Sequence, residues 1–387
     1  MHSTITQRGW LARSRLCRRP KASGNSDAMN ALFFSRGRGR GHAIPDVAIA
    51  RDLWDAEPAV RLGLASYGTG AKTIRDCGYN VIDLGLPDEN PFLITLFSCL
   101  RVISKTRPDI VISHEEFSAV PAAKSLGIPA LFLIDWFPLN VPVWMECLTA
   151  ADQILFLDDN GIYDEPASLK GKITYTGPVV RELGRCDGDQ KAARAELHLP
   201  SDAAVILVSP GGAAQSSESN SPIFDIVLDA VRLLAGDPVI LWVSPVIEHE
   251  SLIARVCGRA SVIFMEPHTN IERTMVAADI AITKGTRRTS FELNALGIPS
   301  ISISYGLNPI DDYRVAQIPT NCALRARGLT AESLSRHMVN ALRRGTCHCI
   351  VPGDAAAGRR AAVERILPYM RKYRQASGGN EKTAVAE

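Results

Sequence analysis

The sequence has no run of about 18 consecutive apolar residues, which excludes a helix that spans a bilayer in the ordinary way. It also has no acidic residue before Asp27, a stretch that carries Arg8, Arg13, Arg15, Arg18, Arg19 and Lys21. This leader lacks the apolar core of a secretory signal and does not read as one. An organelle address or a phosphate-binding arm fits an Arg-rich, acid-free leader. A disordered extension over residues 1–28 fits better, because Met29 directly precedes the first clear strand. The six cations exceed the whole formal charge of +2, so the rest of the chain is mildly acidic. A general nucleic-acid-binding surface is therefore not expected.

Paired cysteine spacing is missing too. The nine cysteines are scattered, many singly through apolar segments such as Cys77, Cys99, Cys147 and Cys257, which suits reduced core residues of a cytoplasmic protein. Cys347-His348-Cys349 is spaced too tightly for the usual zinc pairs and has no second pair nearby, so no metal is expected.

At 387 residues the chain exceeds what one core usually supports, and its 46% hydrophobic and 22% charged content is that of a globular protein, so two domains are expected. Short β-rich runs at 31–35, 60–66, 80–83, 110–113, 130–134 and 153–157 alternate with amphipathic stretches at 43–54, 92–105 and 118–126. That alternation predicts βαβ units and a parallel, doubly wound sheet. The segment 176–202 breaks the rhythm as a linker with a short helix, and strands then resume at 205–209, 239–243, 261–264, 280–283 and 300–304. The expected organisation is a domain over 29–175, a second over 203–354, a closing helix over 355–375 and a disordered tail over 376–387. It is an α/β fold of two Rossmann-like domains facing a cleft. Ligands in such sheets bind where strands end, so the loops after strands carry the functional information.

After the first strand comes Ser35-Arg-Gly-Arg-Gly-Arg-Gly41-His42-Ala-Ile-Pro45. Its glycines let the backbone turn and free N–H groups at a helix start for an anion. A dinucleotide loop is disfavoured, because Ser66-Tyr67-Gly68 stands where the ribose-binding acid belongs. His42 can accept a proton from an attacking hydroxyl or can be a helix-capping residue. The fourth strand ends in His114-Glu115-Glu116, across the switch point from the first. One of the two carboxylates, with Glu116 taken as the candidate, can orient His42 as the acid of a triad does, or both can sit at a solvated helix N-terminus.

In the second half, Gly211 and Gly212 offer a turn to a diphosphate, with a plain tight turn as the alternative. The densest signal is Lys284-Gly-Thr-Arg-Arg-Thr-Ser-Phe-Glu292, followed by a helix to Pro299. Gly285, Thr286, Arg287, Thr289 and Ser290 place N–H groups, hydroxyls and a cation around phosphate, and Glu292 can reach a ribose diol. A capping-box carboxylate is the other reading of Glu292.

These motifs resemble the GT-B glycosyltransferases, most of all the family of the peptidoglycan enzyme that adds N-acetylglucosamine to a lipid-linked acceptor. The resemblance rests on Gly41–Ala50, Thr176–Arg181, Pro210–Gly212 and Lys284–Pro299. It implies that Arg181 lies near the diphosphate, that Met265 falls where the family clasps the uracil, and that Glu292 holds the ribose. Asp311 and Asp312 stand where the family grips the donor sugar, but no glutamine pair follows them, and Arg287 and Arg288 replace a small apolar part of the signature, which implies an extra phosphate contact or a different donor. The implied activity is transfer of a sugar from a UDP-linked donor to a hydroxyl, with inversion, without metal or further cofactor, and with His42 as base. A nucleotide-sugar hydrolase, a 2-epimerase of the same fold and a non-catalytic nucleotide-sugar-binding subunit are the alternatives. The acceptor is a small molecule or a lipid. Residues 91–97, with Arg101, Lys105 and Arg107, and residues 136–144 fit peripheral membrane contact, although core-facing elements are the preferred reading.

Overall fold

The computed structural model describes residues 29–181, 183, 190–209, 221–243, 260–265, 271–306, 309–345 and 355–381. Its first sheet holds β1 (Asn30–Ser35), β2 (Arg61–Ser66), β3 (Ile82–Asp83), β4 (Ile110–His114), β5 (Ala130–Ile134), β6 (Gln153–Phe156) and β7 (Ile173–Tyr175), in the order β3-β2-β1-β4-β5-β6-β7. The second holds β8 (Val205–Ser209), β9 (Val239–Val243), β10 (Ser261–Met265), β11 (Ile280–Thr283), β12 (Ser300–Ser304) and β13 (Asn321–Arg325), in the order β10-β9-β8-β11-β12-β13. All paired strands run parallel. Both orders reverse direction once, between β1 and β4 and between β8 and β11, which are the crevices where such sheets take ligands.

Every strand expected from the sequence forms, with ends shifted by a residue or two. The outer strands β7 and β13 were not expected. Neither is a buried apolar run: β7 is half-buried throughout and β13 is part-exposed. The inner strands are covered on both faces. Leu32 and Phe34 enter one apolar cluster while Ala31 and Phe33 enter another, as the period-2 geometry of a strand requires.

In the first domain the connections are α1 (Ala43–Ala56), α2 (Gly68–Asp76), α3 (Phe92–Thr106), α4 (Ala119–Ser125) and α5 (Pro142–Ala150). α6 (Gln190–Glu196) leads into the second domain, which carries α7 (Ser221–Arg232), α8 (Glu272–Ala277), α9 (Arg287–Ala295), α10 (Pro309–Ala316) and α11 (Ala331–Arg344). The last helix, α12 (Ala357–Glu381), continues through the start of the expected disordered tail. It crosses back to the first domain, where Ala362, Val363, Ile366 and Met370 pack with α1 and β1. Arg359 fixes its start by donating to Asp52 on α1 and to the carbonyls of Val180 and Arg181 in the linker.

The domains meet through ions. Asp135 and Asp158 follow β5 and β6; Arg287 begins α9, and Asp311 and Arg314 lie on α10. Arg287 pairs with Asp135 (3.0 Å), Asp158 (3.2 Å) and Asp311 (2.6 Å), and donates to the Asp135 carbonyl at 2.8 Å. Arg314 donates to Asp158 at 2.9 Å and pairs with Asp159. Asp158 is fully buried, and Arg287 and Arg314 nearly so. Burial and the crowding of acids around one guanidinium push the Asp311 carboxyl up to about 6.

Asp158→Ala strips two buried cations of their shared anion and is expected to cost about 3 kcal/mol or more of unfolding free energy. Urea unfolding followed by circular dichroism measures it. A midpoint equal to wild type would show that the cluster does not hold the domains.

Candidate active site

The ends of β1 and β4 build the first half of the site. Past β1 the chain runs through Gly37, where a Cβ atom would overlap the Tyr67 ring, so only glycine lets the loop lie against β2. His42 is the N-terminal residue of α1, but its side chain makes no capping bond. Its Nε2 instead lies 2.9 Å from Oε2 of Glu115.

Glu115 has φ +51°, in the left-handed region that non-glycine residues rarely occupy. The twist breaks the strand alternation, so that His114 and Glu115 both reach the His42 ring. The two histidine rings meet edge to face, 5.0 Å between centroids. Glu116, expected to orient His42, points elsewhere: it accepts from the Tyr67 hydroxyl at 2.8 Å and from the Ser118 N–H at 3.2 Å. Burial raises its pKa. The carboxylate that holds His42 is therefore Glu115, which strand alternation would have sent the other way.

Charge decides the tautomer of His42. Burial alone would raise the Glu115 carboxyl, but His42, His114 and Arg288 together hold it well below the usual carboxylate range. An ionised carboxylate only accepts hydrogen bonds, so Nε2 of His42 carries the proton. Its Nδ1 is left with a lone pair, and this atom is buried without a partner among the described residues. Burial lowers the His42 pKa from 6.5, against the opposing pull of Glu115, with His114 and Arg288 adding to the depression. The result is a neutral imidazole with one nitrogen anchored and one open, which is the arrangement of a general base.

His114 is fully buried, and its Nδ1 lies 2.6 Å from Asp46 on α1; the other Asp46 oxygen accepts from Ser35. Its Nε2 faces Arg288 Nη2 at 3.2 Å, across the domain boundary. His42, His114 and Glu115 have ligand atoms close enough to hold a metal ion. Each of these side chains already has a partner, and a metal at His114 would have to displace the Arg288 cation.

The start of α9 builds the other half. Gly285 has φ +72° and lets the chain turn from β11 into the helix. Thr286 is the N-terminal cap residue but makes no capping bond with its side chain, and Thr289 is half-buried at the same end. Ser290 is turned inward, donating to the Thr286 carbonyl at 3.0 Å, so the structure does not present its hydroxyl to phosphate. Arg287, expected at phosphate, is held by three carboxylates, and Asp311, expected at the sugar, is one of them. Asp312 is half-buried on α10.

Glu292 lies too far into α9 to be a capping-box residue and accepts two bonds from the linker Arg181, at 2.6 and 3.2 Å. Arg181 and Glu292, 111 positions apart and expected at the diphosphate and the ribose, are thus engaged with each other. Met265 ends β10, with its sulfur 3.9 Å from the Thr274 hydroxyl. Gly211, Gly212 and the Cys347-His348-Cys349 cluster lie outside the described residues. Gly41 stands beside Arg288, whose Nη1 would be 3.5 Å from a Cβ built there.

Sequence reasoning did not bring Asp46 or His114 into the site, took Glu116 over Glu115 as the carboxylate at His42, and read Arg288, with Arg287, as an extra phosphate contact or the mark of a different donor. Only the run His114-Glu115-Glu116 and the doubled arginine gave any signal of them. Arg287, Arg288, Asp135, Asp158, Pro45 and Phe291 line the small cavity left between the two halves.

The apolar segment on α3 is not core-facing throughout: Leu93, Ile94 and Phe97 are exposed, as are Leu139 and Val143 around the start of α5. Arg101, Lys105 and Arg107 are exposed nearby. Trp136 and Trp144 are partly buried against the core. No helix among the described residues is long and apolar enough to cross a membrane.

No family model matches the chain. Its sequence is 25% identical over 300 residues to the UDP-N-acetylglucosamine–N-acetylmuramyl-(pentapeptide) pyrophosphoryl-undecaprenol N-acetylglucosamine transferase of Chlorobium phaeobacteroides, covering 72% of this chain and 79% of that protein. It is 25% identical over 221 residues to an uncharacterized glycosyltransferase of Methanopyrus kandleri, covering 54% of this chain and 60% of that protein. Among solved structures, MurG of Acinetobacter baumannii superposes with a TM-score of 0.57 at 15% identity, over 89% of this chain and 99% of that one. The UDP-GlcNAc 2-epimerase of Neisseria meningitidis, bound to UDP-GlcNAc, superposes with a TM-score of 0.66 at 14% identity, over 88% of this chain and all of that one. With the fold shared by both structures and the sequence likeness found among transferases, the chain is a GT-B homologue of glycosyltransferases.

Proposed function

We propose that the protein transfers a sugar from a UDP-linked donor to a hydroxyl acceptor, with inversion and without a catalytic metal. One observation carries this reading. A carboxylate-anchored histidine, His42, keeps one ring nitrogen buried and without a partner among the described residues, while its neighbour His114 meets Arg288 from the start of α9 in the other domain. In the proposed step Nδ1 of His42 takes the proton of the acceptor hydroxyl while that oxygen bonds to the anomeric carbon. The bond from this carbon to the phosphate oxygen breaks, and the diphosphate leaves with the electron pair. The α9 N-terminus and Arg181 meet the charge that develops on it. Glu292 exchanges Arg181 for the ribose hydroxyls when nucleotide enters. The exposed Leu93, Ile94 and Phe97, rimmed by Arg101, Lys105 and Arg107, fit an acceptor carried on a lipid and peripheral contact with an anionic bilayer.

Calorimetry and turnover assays test this. UDP is expected to bind the wild type and to bind Glu292→Ala much more weakly. His42→Ala should keep UDP binding but lose turnover of a UDP-sugar on the order of 10²–10⁴-fold. Failure of UDP, GDP and dTDP alike to bind would sink the donor-site assignment. Product analysis separates glycoside from free sugar, and from the 2-epimer expected of an epimerase.

The base must be neutral to work, and its pKa is depressed below 6.5. Therefore kcat/KM is expected to be level near neutral pH and to fall only below that value, as His42 takes up a proton. Glu115→Gln removes the main influence that raises the His42 pKa, so the acid limb should move to still lower pH while kcat falls. An acid limb that stays put in Glu115→Gln would mean that another group governs it.

A further inference from the structure

We propose that Arg288 is the side chain that grips the donor's diphosphate, and that a buried Asp46–His114 pair in the opposite domain aims it. The proposal rests on the nucleotide-diphosphate reading above and adds to it a residue that the family motif does not supply, since the motif is small and apolar at that place.

Arg288 is the second residue of α9, beside Arg287, yet the two guanidinium groups have different surroundings. Every nitrogen of Arg287 is paired. Among the described residues Arg288 is bonded through Nη2, toward His114 Nε2 at 3.2 Å and more distantly toward Asp135 at 3.5 Å. Its Nη1 is buried with no partner among the described residues. A buried N–H of a cation that makes no bond is costly, and an anionic oxygen placed there would satisfy both hydrogen bonding and charge.

The aim of this nitrogen follows from a chain of fixed protons. Asp46 is fully buried and spends one oxygen on Ser35 and the other on His114 Nδ1. A guanidinium can only donate, so His114 Nε2 must be the acceptor and Nδ1–H the donor to Asp46. His114 therefore holds one arm of the Arg288 fork and leaves the other extended. Gly41 borders that arm. Arg288 stands one helical turn before Glu292 on α9, so a nucleotide with its ribose at Glu292 can lay its phosphates along the helix start to Nη1. The same contact is made only when the domains are closed, because Arg288 and His114 belong to different domains.

The test is calorimetry with UDP and with uridine on wild type, Arg288→Met, Arg288→Lys, His114→Ala and His114→Gln, each checked for a wild-type thermal unfolding profile. Arg288→Met is expected to weaken UDP about 10- to 100-fold, and to leave uridine affinity unchanged. Arg288→Lys should recover part of the loss, since it keeps the charge but not the fork. His114→Ala should reproduce the loss for UDP alone. His114→Gln, whose amide can donate to Asp46 and accept from Arg288, should restore part of it. Unchanged UDP affinity in Arg288→Met, including the case in which only KM for an anionic acceptor rises, would overturn the proposal. So would equal losses for UDP and uridine, which would mark Arg288 as structural. If wild type binds uridine diphosphate and Glu292→Ala does not, the donor reading stands whatever Arg288 does, so the two fail separately.

Discussion

A guanidinium carried into the seam between two domains must find counter-charge there, and the Arg287 cluster is where this molecule meets that demand. Arg287 is almost fully buried, with Asp135 and Asp158 contributed by one sheet and Asp311 by the other domain. Burying such ions is costly, so the cluster contributes less as net stability than as selection. Any rotation of one domain against the other would separate buried charges from their partners. The relative position that keeps them paired also sets α9 against the His42 loop. It is the same position in which Arg288 reaches His114 and Glu292 reaches Arg181.

Given that geometry, the state of the site follows from which groups can only accept and which can only donate. Glu115 is ionised and accepts, which puts the proton of His42 on Nε2 and opens Nδ1. Arg288 is always a cation and donates, which puts the proton of His114 on Nδ1, toward Asp46. Two adjacent histidines thus take opposite tautomers, although their rings are only 5.0 Å apart. Burial, with His114 and Arg288 adding to it, depresses the pKa of His42 and favours its neutral form.

Most of the fold could be read from the chain, because parallel strands buried on both faces appear as unbroken apolar runs such as Ala130–Ile134 and Val205–Ser209. The edge strand Asn321–Arg325 is part-exposed and mixes polar with apolar residues, which is why it was not visible. In the site, His42, Arg181 and Glu292 could be singled out from their motifs, but not the pairing of Arg181 with Glu292. The choice between Glu115 and Glu116 could not, since it turns on one φ angle. Nor could Asp46, which reads as an ordinary acid in the first turn of a helix until His114 is seen against it. Spacing along a chain reports which residues share an element. It does not report which side chain of another element stands opposite.

The doubled arginine illustrates this limit. Consecutive residues on a helix point about 100° apart, so Arg287 and Arg288 enter different surroundings and share only Asp135, at 3.0 and 3.5 Å. The turn after β11 directs Arg287 toward the carboxylates behind α9 and Arg288 toward the ends of β1 and β4. One sequence feature thus separates into two physical roles. Arg287 is paired at every nitrogen by protein and fixes the domains, while Arg288 keeps one buried nitrogen without a partner among the described residues, beside the cavity between the halves. Exchanging their surroundings would take more than a substitution. The three acids around Arg287 come from β5, β6 and α10, and the histidine that holds Arg288 comes from β4, so the division of labour is written into the sheet order itself.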